Sequence, residues 1–367
     1  VDRILQATDQ QASIHLQQKL KTSAPEQKVQ IIDVILHQAY ALMSNRFGNF
    51  LIQRCFEFGT PQQIDALAQA MRGNILTLAC DAFGCHVVQK ALDYVEEDCK
   101  ARIVTEMFRR IRETIVHRYA CHVWQKIFEI RWTDAPPAAM TYVNNAVAGR
   151  WASVAVDETG SLVVQNIFEN CAEHDKRPVL TEILQSVNTI AKGQWGNWVI
   201  QHILEHGIPQ DRATVTQRIL EDAVALSLDQ YASKVVEKML RMAGAKVMNQ
   251  YIQIVCNGVQ GHPRIPLIDI AADQYGNYII QYILTNAAPH HRETCATLIK
   301  RHMVSLRGSK YGQKVAFMVE RWKGNSFGSG NNNSSNNNGN NGNGGGSKSV
   351  SGSSLEGGNG GSGRRRW

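Results

Sequence analysis

Along residues 1–323 short apolar clusters alternate with polar stretches, and one nine-residue arrangement of the two keeps returning. The string DAFGCHVVQ at 81–89 aligns with NRFGNFLIQ at 45–53 and with DQYGNYIIQ at 273–281. The same frame occupies 9–17, 117–125, 157–165, 193–201, 229–237 and, in degenerate form, 309–317. Its fifth residue falls at 13, 49, 85, 121, 161, 197, 233, 277 and 313, so the copies lie 36, 36, 36, 40, 36, 36, 44 and 36 residues apart. Repetition at this period marks a chain built from stacked supersecondary units.

Each column of the frame has its own chemistry. Column eight is apolar in every copy and column seven in all but the first, where it is His15, and column twelve continues them with Phe56, Leu92, Phe128, Phe168, Leu204, Leu240 and Leu284. Residues at i, i+1 and i+5 share one face of a helix, so this helix buries one side. Column four is always Gly or Ala, as expected where a helix start packs closely on its neighbour. Column three is usually aromatic. A short apolar stretch precedes each frame and a longer amphipathic one follows it, which predicts three helices per unit. Extra residues are expected at Thr133 to Met140, with its Pro pair, and at Gln260 to Pro266.

A length of 367 residues would ordinarily predict two or three domains. Because a solenoid grows by stacking units that touch only their neighbours, one core can instead run through 1–323. The all-α domain is therefore expected over 1–323. The remainder, 324–367, is mostly Gly, Asn and Ser and cannot bury enough apolar surface to offset its ordering entropy. Disorder is expected there. Val1 in place of Met points to a piece of a longer protein.

The formal net charge is +7, of which Lys348, Arg364, Arg365 and Arg366 against Glu356 supply three, leaving +4 for the repeats. A duplex-binding protein that lives on phosphate contacts is usually more basic. Eight cysteines are scattered without a C-x-x-C pair, so neither a zinc site nor a disulfide framework is expected, and a reducing compartment is. No apolar run approaches 18 residues and no leader opens the chain, which predicts no membrane segment.

Columns five, six and nine do not read as core. They are Ser13/Ile14/Gln17, Asn49/Phe50/Gln53, Cys85/His86/Gln89, Cys121/His122/Gln125, Ser161/Leu162/Gln165, Asn197/Trp198/Gln201, Ser233/Lys234/Glu237 and Asn277/Tyr278/Gln281. Columns five and nine are i and i+4 on a helix and project side by side. A merely solvated face would drift among Lys, Glu, Arg and Ser, whereas column nine is Gln in seven copies and Glu in one. Gln presents a donor and an acceptor together, as the Watson–Crick edges of uracil and adenine require. An ionised Glu only accepts, and guanine alone offers two adjacent donors, which marks Glu237 as a guanine reader. In column five, Asn adds an amide to meet a pyrimidine, while Ser or Cys leaves room for a purine. Column six is the stacking slot: Phe50, His86, His122, Trp198 and Tyr278 are flat, and Lys234 stands there without a ring, as do Ile14 and Leu162.

These units resemble PUF (Pumilio) repeats over residues 1 to about 323. Asn-Tyr-x-x-Gln at 277, Ser-x-x-x-Glu at 233 and Cys-x-x-x-Gln at 85 match that family's specificity triplets, and the long connection before Asn277 resembles its extended loop. The resemblance implies a right-handed superhelical solenoid of eight three-helix repeats plus a capping repeat, crescent-shaped, with extended single-stranded RNA on its concave face. It further implies a cytoplasmic, monomeric protein without cofactor that binds messenger 3′ untranslated regions and recruits deadenylation and translational-repression machinery. Carried over triplet by triplet, Asn277/Gln281 back to Ser13/Gln17 spell 5′-UGUAAAUA-3′. The ninth unit, with Gln313, Lys314 and Phe317, fits no triplet and is expected to cap the stack.

Two rivals share the apolar columns. A protein-binding scaffold of HEAT or armadillo type has no reason to fix Gln, Asn, Ser and Glu in place, and a binder of structured nucleic acid would show degenerate triplets and a more basic surface. No Gly-rich phosphate loop, H-E-x-x-H or G-x-S-x-G motif suggests an enzyme.

Overall fold

Each repeat is organised around the start of its second helix. In the second repeat Asn45 caps the turn leading into that helix, its Oδ1 accepting from the backbone N–H of Phe47 (2.9 Å) and Gly48 (2.8 Å). These are donors that a helix start otherwise leaves without partners. Asp81, Asp157, Asp229 and Asp273 do the same in their repeats, Asp9 takes the N–H of Ala12 alone, and His117 substitutes its Nδ1 at 3.3 and 3.4 Å. The third helix has its own start signal. Pro25, Pro61, Pro209 and Pro289 stand in the first turn, where no N–H is missed, and Thr60 with Gln63 forms a capping box.

The structure, a computed structural model, describes residues 1–133, 138–242, 244–257 and 264–326, with side chains through 321. Among these residues every element is helical. Repeat two, with helices Ala39–Met43, Gly48–Phe58 and Pro61–Met71, typifies the eight three-helix units, which begin at Asp2–Gln6 and finish at Pro289–Arg301. Val1–Lys323 form one compact unit. Second helices pack on second helices without a break from Gln10–Thr22 to Asn277–Asn286, and third helices stack on their neighbours in most repeats. One continuous apolar core therefore threads from Ile4 to Val319. The all-α repeat solenoid expected from the periodicity is the fold.

Small residues are required where the second helix crosses the first. A Cβ on Gly160 would stand 2.4 Å from the carbonyl oxygen of Val154, and one on Gly196 2.4 Å from that of Ile190. Repeats with Ala12, Ala120 or Ala232 at this column accommodate a methyl group.

A ninth unit follows, with helices Met303–Arg307 and Gly312–Ser326. The repeat domain was expected to end at Lys323; its last helix, seated by Val315, Ala316 and Val319, runs to Ser326. The disorder expected farther along falls at 327–367, outside the described residues. Of the two expected insertions, Thr133 to Met140 and Gln260 to Pro266, residues 134–137 and 260–263 also lie outside them. At their edges Ala139 and Pro266 each open a helix.

Gly160→Ala is expected to destabilise the unit by about 1–3 kcal/mol through this overpacking. Ala232→Gly, which only loosens the backbone, should cost about 0.5–1 kcal/mol. Urea unfolding followed by circular dichroism separates the two, and a Gly160→Ala protein as stable as the parent would rule out the close approach.

Candidate nucleic-acid interface

The three columns keep one pattern of exposure through the eight repeats. Column five is buried in all of them, column nine is half-buried in all of them, and column six is exposed except at Ile14, which is half-buried. Phe50, Trp198 and Tyr278 leave 52%, 47% and 55% of their surface open, in a molecule whose other rings mostly face the core. His86, His122, Lys234 and Leu162 are exposed beside them. Eight flat or aliphatic side chains and eight amide or carboxylate groups thus line the stacked second helices.

Burial of column five corrects the expectation that all three columns lie outside the core. Ser13, Asn49, Cys85, Cys121, Ser161, Asn197, Ser233 and Asn277 are each at most 5% exposed. The polarity that suggested a surface position serves the backbone instead. Asn49 Nδ2 donates to the carbonyls of Asn45 and Arg46, both at 2.9 Å; Asn197 does so to Gly193 and Gln194, and Asn277 to Asp273 and Gln274. The amide expected to meet a base is spent inside the turn that starts the helix. Ser13 Oγ donates to the carbonyl of Phe47 in the next repeat, and Ser161 Oγ to that of Glu158. The thiols of Cys85 and Cys121 lie 3.7 and 3.5 Å from the carbonyls of Ala82 and Arg118. Burial pushes the Cys85 thiol up to about 11, so it sits in the site as an uncharged group.

What column five does control is the posture of column nine. In the Asn repeats the Gln amide rests on the Asn oxygen: Gln53, Gln201 and Gln281 donate through Nε2 to Asn49, Asn197 and Asn277 at 3.1, 3.0 and 2.6 Å. Where column five is Cys85 or Ser161 the Gln settles on the backbone, Gln89 donating to the carbonyl of Cys85 and Gln165 to that of Ser161. Gln17 stays on the Ser13 hydroxyl at 3.0 Å, and Gln125 Oε1 accepts from His122 Nδ1 at the same distance. In every case Oε1 or a second N–H is left for another partner. The ninth unit differs: Gln313 is exposed in column five, and Phe317, 57% exposed, replaces the amide.

A family model, "Pumilio-family RNA binding repeat", matches residues 6–36, 38–71, 74–108, 111–130, 150–184, 186–220, 222–247 and 267–299. The chain belongs to the Pumilio family. Its unmatched stretches 131–149 and 248–266 contain the two places where the repeat spacing lengthens. Similar relatives include meiotic coiled-coil protein 2 of Schizosaccharomyces pombe, 58% identical over 88% of this chain and 46% of that protein. Meiotic PUF family protein 1 of the same organism is 45% identical over 88% of this chain and 56% of that protein. The chain thus spans about half the length of these relatives. Among solved structures, PUF-8 in complex with PBE-RNA superposes with a TM-score of 0.75 at 25% identity, covering 86% of this chain and 91% of that one. The Puf3 RNA-binding domain bound to a Cox17 3′ UTR sequence (TM-score 0.70, 24% identity, 85% and 92% covered) shares the fold.

Sequence reasoning missed a second line of side chains on the same Pumilio helices. Four residues beyond the Gln slot, column thirteen of one repeat meets column ten of the next: Glu57 with Lys90 (2.5 Å), Asp93 with Lys126 (2.5 Å), Glu129 with Asn166 (3.2 Å), Glu169 with His202 (3.3 Å) and Glu205 with Lys238. Burial alone would push the Glu57 carboxyl up, but its bonds to Lys90 and Arg54 outweigh that and hold it below the ordinary range. The signal was present as an acid at column thirteen facing a base or amide at column ten, visible only once consecutive frames are laid side by side.

Asn197→Ala should leave two backbone carbonyls without their donor and cost about 1–3 kcal/mol of stability. Trp198→Ala, one position along but exposed, should stay within about 0.5 kcal/mol. Paired denaturation curves check this, and a neutral Asn197→Ala would refute the structural duty assigned to column five.

Proposed function

We propose that this chain binds single-stranded RNA in a sequence-specific manner, one base per repeat, with 5′-UGUAAAUA-3′ as its preferred octamer. The observation that carries the proposal is the repetition of one geometry eight times in register: a buried spacer, a ring or stem that is exposed in all repeats but the first, and a half-buried amide or carboxylate. Exposed rings at column six offer each base a face, worth roughly 1–3 kcal/mol per stack. The groups at column nine then meet its edge.

Two of the Gln postures, on an Asn oxygen and on the backbone, favour small and large bases respectively. Held on an Asn oxygen rather than on the backbone, as at Gln53, Gln201 and Gln281, the amide suits the smaller uracil. Settled on the backbone, as at Gln89 and Gln165, it leaves the depth that a purine needs. Glu237, with acceptors only, selects guanine at the second position. Binding would be in 3′ untranslated regions of cytoplasmic messengers, with repression or decay as the outcome. That part rests on membership of the family and on the likeness to Puf3 bound to a 3′ UTR recognition sequence.

Titration of the octamer against a scrambled octamer at fixed salt tests the sequence reading, with a penalty of about 1–3 kcal/mol expected for each wrong base in the UGU portion. Equal affinity for both would defeat it. Glu237→Gln creates a Ser-x-x-x-Gln unit like those at Ser13 and Ser161 and should prefer adenine at the second base, reversing the discrimination by about 1–3 kcal/mol. If that variant still prefers guanine, Glu237 is not the reader.

A further inference from the structure

The line of acids at column thirteen gives way to a cation in the first and seventh repeats, and only in the seventh does that cation stand beside a carboxylate reader. Beside the neutral readers of repeats two to six stand Glu57, Asp93, Glu129, Glu169 and Glu205, and the end repeats carry Lys21 and Thr285. In the seventh, the only one whose reader is a carboxylate, the position is Arg241. Its guanidinium donates to Glu237 Oε1 through both Nε (2.9 Å) and Nη2 (2.5 Å). The same guanidinium lies 4.6 Å from the ring centre of Tyr282 in the eighth repeat. Lys238, the neighbouring cation on that helix, is committed to Glu205.

Columns nine and thirteen are i and i+4, where two like charges repel and opposite charges attract. The acid used in repeats two to six would push against a carboxylate reader, whereas Arg241 binds it through charge-assisted bonds. Both bonds land on Oε1 and draw the carboxylate toward the guanidinium, while Oε2 is left to accept from another donor. The ring of Tyr282 in turn limits where the guanidinium can go. A side chain fixed before the ligand arrives loses less freedom on binding.

We propose that Arg241 is a specificity-determining positioning residue: clamped on Tyr282, it holds Glu237 in the orientation that accepts guanine, and the seventh repeat reads guanine through this pair rather than through Glu237 alone. The inference rests on Glu237 being the reader. Arg241 itself touches no base.

The test uses the full chain with Arg241→Gln and Arg241→Glu, the second installing the type of residue found in repeats two to six. Binding is titrated with 5′-UGUAAAUA-3′ and 5′-UAUAAAUA-3′, and the readout is the ratio of the two affinities. General electrostatic losses move both affinities together and cancel in that ratio. The preference for guanine is expected to fall about tenfold in Arg241→Glu, less in Arg241→Gln, and neither change should alter the ratio once Glu237→Gln is present. A guanine preference retained in both Arg241 variants, while Glu237→Gln reverses it, would overturn the role of Arg241 and leave the reader intact. An unchanged preference in Glu237→Gln would overturn both. A variant with a lowered melting temperature is measured below its transition, where misfolding would remove affinity for both octamers equally, and that result too would count against the proposal.

Discussion

The structure hangs on a hydrogen bond to the backbone at the entrance to each second helix. When Asp81 Oδ1 takes the N–H groups of Phe83 and Gly84 at 2.9 and 2.7 Å, the first turn is fixed, and every later column is counted from it. A slip of one residue would rotate the helix by about 100° and carry the reader off its face. The sixth repeat has Gly193 in that place and no side chain to cap with. There Asn197 donates to the carbonyls of Gly193 and Gln194, so the same turn is still held through its acceptors.

The fold was legible because its signal is repeated. An apolar pair at columns seven and eight means little in one copy, but Leu51/Ile52, Val87/Val88 and Ile279/Ile280 in one register leave no competing period, and all six are buried. The exposed and half-buried columns of the site were legible for the same reason. Column five was misplaced because Asn, Ser and Cys carry no mark that separates a solvated side chain from one that satisfies buried carbonyls; the decision depends on where the preceding turn points its oxygens. The interrepeat pairs were hidden for a different reason. Glu57 and Lys90 are 33 residues apart and unremarkable singly, and their meeting depends on how second helices stack.

Stacking and reading are therefore carried by different faces of one helix. The apolar side joins the continuous core, the entrance fixes register, and the far end ties repeats two to seven in sequence through polar and charged pairs. Exposed pairs of this kind are individually worth little, in the range of about 0–1 kcal/mol. Their regular use points to alignment more than stability, since each joins two helices whose readers must keep a common pitch along the ligand.

Burial of column five bears on how such a protein can change its preferences over evolutionary time. A substitution at column nine alters a half-open side chain and leaves the turn beneath it intact, so the sequence can drift there with little folding penalty. At Asn49, Asn197 or Asn277 the same drift would strand two carbonyls, and the lineage would need a compensating donor first. Exchange between Ser and Cys avoids that obstacle, as neither carries an amide to lose. Retuning of a repeat is thus expected to proceed unevenly, quickly at the outer slot and rarely at the inner one, with the Asn repeats the slowest to depart from their ancestral base.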